Sequence, residues 1–375
     1  MEFRDLKKQY QILKNDIDNA IEQVMADANF IFGEEVKQLE KQLADFVGVK
    51  HCITCANGTD ALQLALMTWG IGKGDAVFVP DITFVSSGEA PALLGATPVF
   101  VDVDKETFNI SPEALENAIK QVIQDEEVIP KVIIAVDLYG QTADYMEIRK
   151  LANKYGLKIL EDGAQGFGGL SYNRRACSFG DISTTSFFPA KPLGCYGDGG
   201  AVFTDNDDWA EELRSLSFHG KGEDKYDNIR VGLNSRLDTI QAVILSIKLK
   251  QFINYELSAI NDVAAWYTNA LSNVVITPVV MKNNFSSWAQ YTITCKDKKE
   301  RDAIKEELKK QDIPSMIYYP KGMHEQLAFE NKSIKIGDYK NTMYLKDRIL
   351  SLPINPYMTK EEVDKVVHVI KDNIH

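Results

Sequence analysis

The sequence predicts an α/β fold, a mostly parallel central sheet with helices on both faces, followed by a smaller α+β domain. Three observations carry this. From about residue 50 to 205, short β-branched runs alternate with stretches whose apolar residues recur at helical spacing, the pattern of successive β-α units. From about residue 237 the alternation stops and a long helical run, LDTIQAVILSIKLKQFINYELSAINDVAAWYTNAL, leaves the sheet. The length of 375 residues also exceeds what one small core accommodates. The expected division is 1–250 for the large domain, with an N-terminal helical segment, and 251–375 for the small one.

In chain order the predicted strands are HCITC (51–55), AVFVP (76–80), PVFVDV (98–103), VIIAVDLY (132–139), LKILED (157–162), TTSFF (184–188) and AVFT (201–204). Between them, TDALQLALMTWG, SPEALENAIKQVI and DYMEIRKLANKYG read as helices. SPEAL is a helix start, with Ser111 as N-cap and Pro112 at the first helical position. Beyond the long helical run come YTITCKD, a charged helix (KKERDAIKEELKKQ), IPSMIYYP and a final helix from Thr359.

Apolar residues make up 45% and charged residues 26%, an ordinary globular balance. The formal charge of −12 opposes a nucleic-acid binder, because neutralising phosphates needs a basic surface. A local basic pocket could still hold a small anion. No run approaches the roughly 18 to 20 apolar residues of a membrane span. MEFRDLKKQYQILKND is charged from its second residue and has no leader-like apolar stretch, so a cytoplasmic location is expected. Five scattered cysteines (Cys52, Cys55, Cys177, Cys195, Cys295) fit reduced thiols. Cys52 and Cys55 form a C-x-x-C, a possible redox or metal pair, but the second pair of a zinc site is missing. HCITCANGT reads instead as a buried strand running into a turn.

In sheets of this kind ligands collect at the carboxyl ends of the strands. After the first strand, Asn57-Gly58-Thr59-Asp60 opens a helix; its free N–H groups and dipole would suit an anion, or it is a plain helix cap. After the second comes Phe84, which either flanks a flat ligand or fills the core. After LKIL comes Glu161-Asp162-Gly163-Ala164-Gln165. An acid ending a buried strand is costly unless paired, so Asp162 either meets a cation or caps the turn. After TTSFF, Ser186 begins SFFPAKPLGCYGDGG, where Lys191 stands in an apolar run before Gly194, Gly197, Gly199 and Gly200. These glycines and those of GIGKGD and GFGGL lack the dinucleotide fingerprint, which disfavours a nicotinamide oxidoreductase. Pyridoxal phosphate, by contrast, wants a phosphate cradle, an imine-forming lysine, a carboxylate against the ring nitrogen and an aromatic against the ring. Asn57-Gly58-Thr59, Lys191, Asp162 and Phe84 supply all four.

With these residues in place, the sequence resembles the nucleotide-sugar aminotransferases of the DegT/StrS family, which are fold-type I pyridoxal-phosphate enzymes. The resemblance runs over nearly the whole chain in order: FRDLKKQY, FIFGEEVKQLEKQLADFVGVKH, CANGTDALQLAL, LLGATPVFVDVD, VDLYGQTAD, EDGAQGFGG, SFFPAKPLGCYGDGGAVFT and RVGLNSRLDTIQAVIL. It implies that Lys191 anchors the cofactor covalently and serves as the proton-shuttling base, and that Asp162 pairs with the pyridine nitrogen. Gln165 would lie by the ring oxygen or face, Phe84 would pack on the ring, and Asn57, Gly58, Thr59 and Ser186 would hold the phosphate. Asn234 would reach the phosphate from a neighbouring subunit, making the enzyme a homodimer with shared sites, and Arg236 would enter from the same loop.

Dehydratase relatives carry histidine where Lys191 stands, so the resemblance favours transamination, with glutamate as amino donor. SFFPAKPLGCYGDGG, with Pro192 directly after the lysine, resembles the branch that aminates carbon 3 of UDP-2-acetamido-2-deoxy-3-keto-glucuronic acid for bacterial surface polysaccharide. Arg236 could pair with the sugar's carboxylate or with glutamate's. Where such relatives often read His-Tyr-Pro, this chain reads Tyr318-Tyr319-Pro320, and a phenol replaces the histidine beside the substrate. His324, in KGMHEQ, belongs to a segment that faces the site in relatives, and is equally readable as structural. The alternatives are a 4-aminotransferase on a UDP- or dTDP-4-keto-6-deoxy sugar, and a non-catalytic sensor built on the same fold.

Overall fold

The computed structural model describes residues 1–224 and 226–374. Two helices, α1 (Leu6–Asp27) and α2 (Glu34–Val47), precede the alternating region. There β1 (His51–Cys55), α3 (Gly58–Thr68), β2 (Asp75–Pro80), α4 (Ser86–Leu93), β3 (Thr97–Val101), α5 (Pro112–Asp125), β4 (Ile129–Val136), α6 (Tyr145–Tyr155) and β5 (Lys158–Asp162) follow in turn. A short hairpin, β6 (Leu170–Ser171) and β7 (Arg174–Arg175), leads to β8 (Ile182–Ser186), β9 (Gly200–Thr204) and α7 (Asp207–Ser217).

Among the described residues the main sheet has eight strands in the order β1-β9-β8-β5-β4-β2-β3, closed at its edge by a later strand, β12 (Ile334–Lys335). The ladders from β8 across to β12 are parallel, while β9 runs antiparallel to both β1 and β8. The mostly parallel sheet is thus as expected. Helices cover both faces, and two apolar clusters flank the sheet. One holds Val77, Val79, Ile134 and Leu160, and the other holds Phe78, Ile133, Ala135 and Ile159. The alternation of neighbours between clusters is the period-2 geometry of a strand buried on both sides.

Strand ends differ from the sequence reading where a side chain or turn takes over. VIIAVDLY stops pairing at Val136, because Tyr139 adopts φ 61° in a short 3₁₀ turn. PVFVDV stops at Val101, and TTSFF starts earlier, at Ile182, and ends at Ser186. The long run after 237 is not one helix. It divides into α8 (Thr239–Gln251), a π-helical turn (Phe252–Glu256) and α9 (Leu257–Leu271).

The rest of the chain adds β10 (Asn284–Phe285), β11 (Tyr291–Thr294), α10 (Lys298–Lys310), α11 (Lys340–Lys346), β13 (Ile349–Leu352) and α12 (Lys360–Asp372). β11 and β13 pair antiparallel, and with α9, α10 and α12 they enclose a second core around Tyr267, Tyr291, Ile293, Leu308 and Val366. Between these elements Met323, Phe329 and Tyr339 return to the main core, carrying β12 to the sheet edge.

Cys52 and Cys55 fall in different clusters, on opposite faces of the sheet. Residues three apart on a strand point to opposite sides, so the two thiols cannot form a chelate. Burial raises the pKa of both.

Under the carboxyl ends of β4 and β5 lie two fully buried acids. Glu161 accepts from the N–H groups of Cys177 (2.5 Å), Phe179 (2.6 Å) and Gly180 (3.1 Å) and from Ser183 Oγ (2.8 Å). Asp137 Oδ1 accepts from Ala143 N (3.0 Å) and Tyr145 Oη (2.8 Å), while its Oδ2 receives no donor. Burial, and then the Glu161 charge, push the Asp137 pKa far up. Glu161, with four donors, carries the charge of the pair, and Asp137 carries its proton. A folded-state pKa above the unfolded value of 3.8 means that this proton's contribution to stability fades as pH rises above about 4. Asp137→Asn supplies the same donor permanently. Its stability relative to wild type is expected to climb by up to about 1.4 kcal/mol per pH unit between pH 5 and 8, measured by denaturant unfolding across that range. A flat difference would show that Asp137 is ionised in the folded chain.

Candidate active site

The strand-end residues converge beyond the carboxyl edge of the sheet. The first element is the turn between β1 and α3. Asn57 caps the helix, its Oδ1 accepting from Asp60 N at 2.8 Å. Its Oδ1 is therefore occupied as a cap, and the donors left for a ligand are its Nδ2 and the N–H groups of the first turn. Gly58 is required there by space, since a Cβ would lie 2.7 Å from Ser186 Cβ. Gly200, the first residue of β9, is equally confined, because its Cβ would lie 2.5 Å from the Asn57 carbonyl carbon. Thr59 Oγ1 meets Ser86 Oγ at 2.7 Å, so the hydroxyls of Thr59 and Ser86, with Ser186 at the end of β8, ring the helix N-terminus. Three hydroxyls and a free helix end fit a phosphate.

Asp162 ends β5. Its Oδ2 accepts from Ser87 Oγ (2.8 Å), which in turn meets Thr83 Oγ1 (2.9 Å), and its Oδ1 accepts from Ala164 N (3.2 Å). The hydroxyl chain from α4 fixes the carboxylate's orientation, which suits a group that must face a ring nitrogen. Ser86 and Ser87 were not singled out in the sequence; two serines opening a helix beside Thr83 in DITFVSSG were the available signal. Gln165 is buried and held on three sides. Its Oε1 accepts from Tyr139 N (2.7 Å), its Nε2 approaches Tyr319 Oη at 3.4 Å, and its backbone carbonyl accepts from Ser287 Oγ (2.9 Å).

Lys191 lies in the loop between β8 and β9, its backbone N–H donating to Phe188 O at 2.9 Å. Burial lowers its pKa, the Asp162 carboxylate opposes that shift, and the Arg4 guanidinium adds to it. The amine is thus poised to lose its proton, the state required of a nucleophile or base. Arg4 lies in FRDLKKQY, but nothing in that segment indicates partners so far along the chain, so the sequence reading missed it as a site residue. It donates to Trp288 O (3.2 Å) and Ala289 O (2.8 Å).

Phe84 is 52% exposed, its ring centroid 6.4 Å from that of Tyr319, so it presents a face rather than filling the core. Tyr318 accepts the Tyr139 hydroxyl through its backbone carbonyl and meets Phe3 edge-on at 6.3 Å. Both tyrosines therefore stand at the site, Tyr319 inside it and Tyr318 at its rim. His324 is held back: its Nδ1 lies 2.7 Å from Asp81 Oδ2, its N–H donates to Asp81 Oδ1 (2.8 Å), and its ring stacks on Tyr339 at 4.1 Å. These contacts fasten the 320s loop to the end of β2.

Asn234 and Arg236 are placed apart from this group. Arg236 pairs with Asn234 Oδ1, and its guanidinium lies over Phe32 (5.6 Å) and Phe218 (4.9 Å). The loop still touches the cradle's outer side, where Ser235 Oγ accepts from Ala56 N at 3.0 Å.

Lys191, the fixed Asp162 carboxylate and the hydroxyl-ringed end of α3 at the carboxyl edge of this sheet fit the needs of pyridoxal phosphate, and the class they point to is a pyridoxal-phosphate-dependent enzyme. When bound, the cofactor supplies an electron sink, and the chain supplies the amine, the fixed charge and the phosphate cradle. The chain belongs to the DegT/DnrJ/EryC1/StrS aminotransferase family, whose profile matches residues 11–371. It is 44% identical over 361 residues, 96% of each chain, to the UDP-2-acetamido-2-deoxy-3-oxo-D-glucuronate aminotransferase of Pseudomonas aeruginosa. It is 38% identical, over 99% of this chain and 97% of the other, to a UDP-N-acetyl-3-dehydro-alpha-D-glucosamine 3-aminotransferase of Acidithiobacillus ferrooxidans. Among solved structures, a family aminotransferase from Brucella abortus superposes with a TM-score of 0.97 at 48% identity, covering 99% of both chains. DesV of S. venezuelae superposes with a TM-score of 0.92 at 32% identity, covering 99% of this chain and 97% of the other. No helix among the described residues is long and apolar enough to cross a membrane.

Proposed function

We propose that this sugar aminotransferase moves the amino group of glutamate to carbon 3 of UDP-2-acetamido-2-deoxy-3-keto-glucuronic acid, in the cytoplasm, for a bacterial surface polysaccharide. The observation that carries the reading is Lys191-Pro192 in its loop, in a chain 44% identical end to end to a protein of that named activity. The geometry supports the following roles. Lys191, as a neutral amine, holds and then moves the proton at the reacting carbon. Asp162, fixed by Ser87, would hold a proton on the cofactor's ring nitrogen. Thr59, Ser86, Ser186 and the α3 N-terminus bind the phosphate. Tyr319 and Gln165 form one wall, and Tyr318 stands where the sugar enters.

Asn234 and Arg236 act on the site of a second copy in this reading. Their position outside their own cradle supports it, as does the apolar surface around them, where Phe30, Ile31, Phe32, Ile229 and Val231 are all exposed. An exposed cluster of this kind marks an association face, and two copies joined there form the homodimer.

The test is product analysis. Purified protein supplied with glutamate and the UDP-linked 3-keto uronate should yield 2-oxoglutarate and a 3-amino uronate by mass spectrometry and NMR. Amination of a 4-keto-6-deoxy sugar in its place would move the activity to carbon 4.

A further inference from the structure

Beside Lys191 the chain builds a half-buried polar pocket that the mechanism above does not use. It encloses about 30 Å³ and is bounded by Arg4, Gln9, Lys191, Lys248, Glu256 and Tyr357. Glu256 is 4% exposed and ends the π-helical turn. Its Oε1 accepts from Gln9 Nε2 at 2.8 Å and from Tyr357 Oη at 2.5 Å. Lys248 is 1% exposed and donates to Gly194 O, in the loop that carries Lys191. π-Turns inside helices recur at functional sites, and this one turns a carboxylate inward that a continuous α-helix would place elsewhere.

Two polar atoms at this pocket have no partner: Arg4 Nε, a donor, and Gln9 Oε1, an acceptor on a side chain only 8% exposed. A cavity of this size holds a water, and an orphan donor and an orphan acceptor on residues lining one pocket are the groups a buried water satisfies. Two cations, Arg4 and Lys248, also flank a lysine that must take up and release a proton, and Glu256 is the carboxylate set between them. Its charge supports the protonated form of both Arg4 and Lys248, whose burial pushes them down to about 10 and about 8.

We propose that Arg4 Nε and Gln9 Oε1 bind an ordered water in this pocket, and that Glu256 is a positioning residue whose charge balances Arg4 and Lys248 around Lys191. The N-terminal segment is then part of the active-site wall, tied to the lysine loop through one buried carboxylate. Asp162 from β5 and Arg4 act on the charge of Lys191, and the pocket that Lys191 lines also holds Asp5 from the N-terminal segment, Lys248 from α8, Glu256 from the π-turn and Tyr357 from the C-terminal part. Neutralising Glu256 leaves two cations uncompensated and drives the proton off Lys191.

The inference rests on Lys191 as the reacting amine, and its test does not depend on which sugar is the substrate. In Glu256→Gln, the pH midpoint for acylation of Lys191 in the cofactor-free protein, read by peptide mass spectrometry, is expected to fall by about one unit. That is a tenfold change in protonated fraction. The midpoint of the cofactor's visible absorbance in the holoenzyme should move the same way. Adding Lys248→Met removes one of the stranded cations and should return both midpoints toward wild type, which loosened packing would not do. An unchanged midpoint in folded Glu256→Gln overturns the role of Glu256. Should that variant not fold, Lys248→Met alone must raise the midpoint, and a fall or no change overturns it. A high-resolution crystal structure of the holoenzyme should show the water within hydrogen-bond reach of Arg4 Nε and Gln9 Oε1, and a dry cavity overturns that half.

Discussion

Lys191→Ala is expected to lower kcat/KM by about 10⁴ or more while leaving the thermal midpoint within a few degrees of wild type. The side chain is asked for two things, an amine to anchor the cofactor and a base at the reacting carbon. Positioned bases alone contribute about 10²–10⁴-fold. The fold should tolerate the change because the loop is held by its backbone, with Lys191 N–H on Phe188 O and Phe187 N–H on Gly199 O. Neither bond involves the amine. Single-turnover reaction with glutamate, followed by the cofactor spectrum, measures the chemistry apart from sugar binding. Lys191→Arg should fail almost as badly, since a guanidinium keeps its proton at every working pH. Turnover within tenfold of wild type in either variant would remove Lys191 from the mechanism.

Asp162→Asn should separate binding from chemistry. An amide fills the same space, can still accept from Ala164 N, and finds a partner in the rotatable Ser87 hydroxyl. What it loses is the fixed charge that keeps a proton on the ring nitrogen. Preorganised electrostatic groups of this kind are worth about 10²–10³ in kcat. The expected result is therefore a kcat lower by about 10³, with cofactor occupancy and KM altered less than fivefold, measured by steady-state kinetics with the cofactor quantified on each preparation. Loss of cofactor in step with activity would make Asp162 a binding residue.

Much of this site can be read along the chain because its chemistry is local. Each functional group follows a strand within a few residues, as Asn57-Gly58-Thr59 follows β1, Phe84 follows β2, Asp162 ends β5 and Lys191 follows β8. The sheet then converts that regularity into proximity, since parallel strands bring all their carboxyl ends to one edge. What could not be read is what depends on distant partners. Ser87 orients Asp162 across 75 positions, Arg4 reaches Trp288 across 284, and Gln9 meets Glu256 across 247. His324 shows the same limit. Nothing in KGMHEQ indicates Asp81, and only the packed loop shows the ring tied to that carboxylate and stacked on Tyr339.

By itself the sequence determined the order of the main strands, the mostly parallel sheet and the glycine turn that follows the first strand. Periodicity, strand-end turns and the absence of a Cβ are all encoded within a few neighbouring residues. The tertiary structure alone decided that the long run after 237 breaks at a π-turn and that Glu256 is turned inward there. It also decided that Asp137 is buried against the Glu161 charge, which raises its pKa, and that Asn234 and Arg236 stand outside the cradle of their own chain. These are matters of burial and of charge between residues far apart in sequence, and such energies do not exist until the chain has closed on itself.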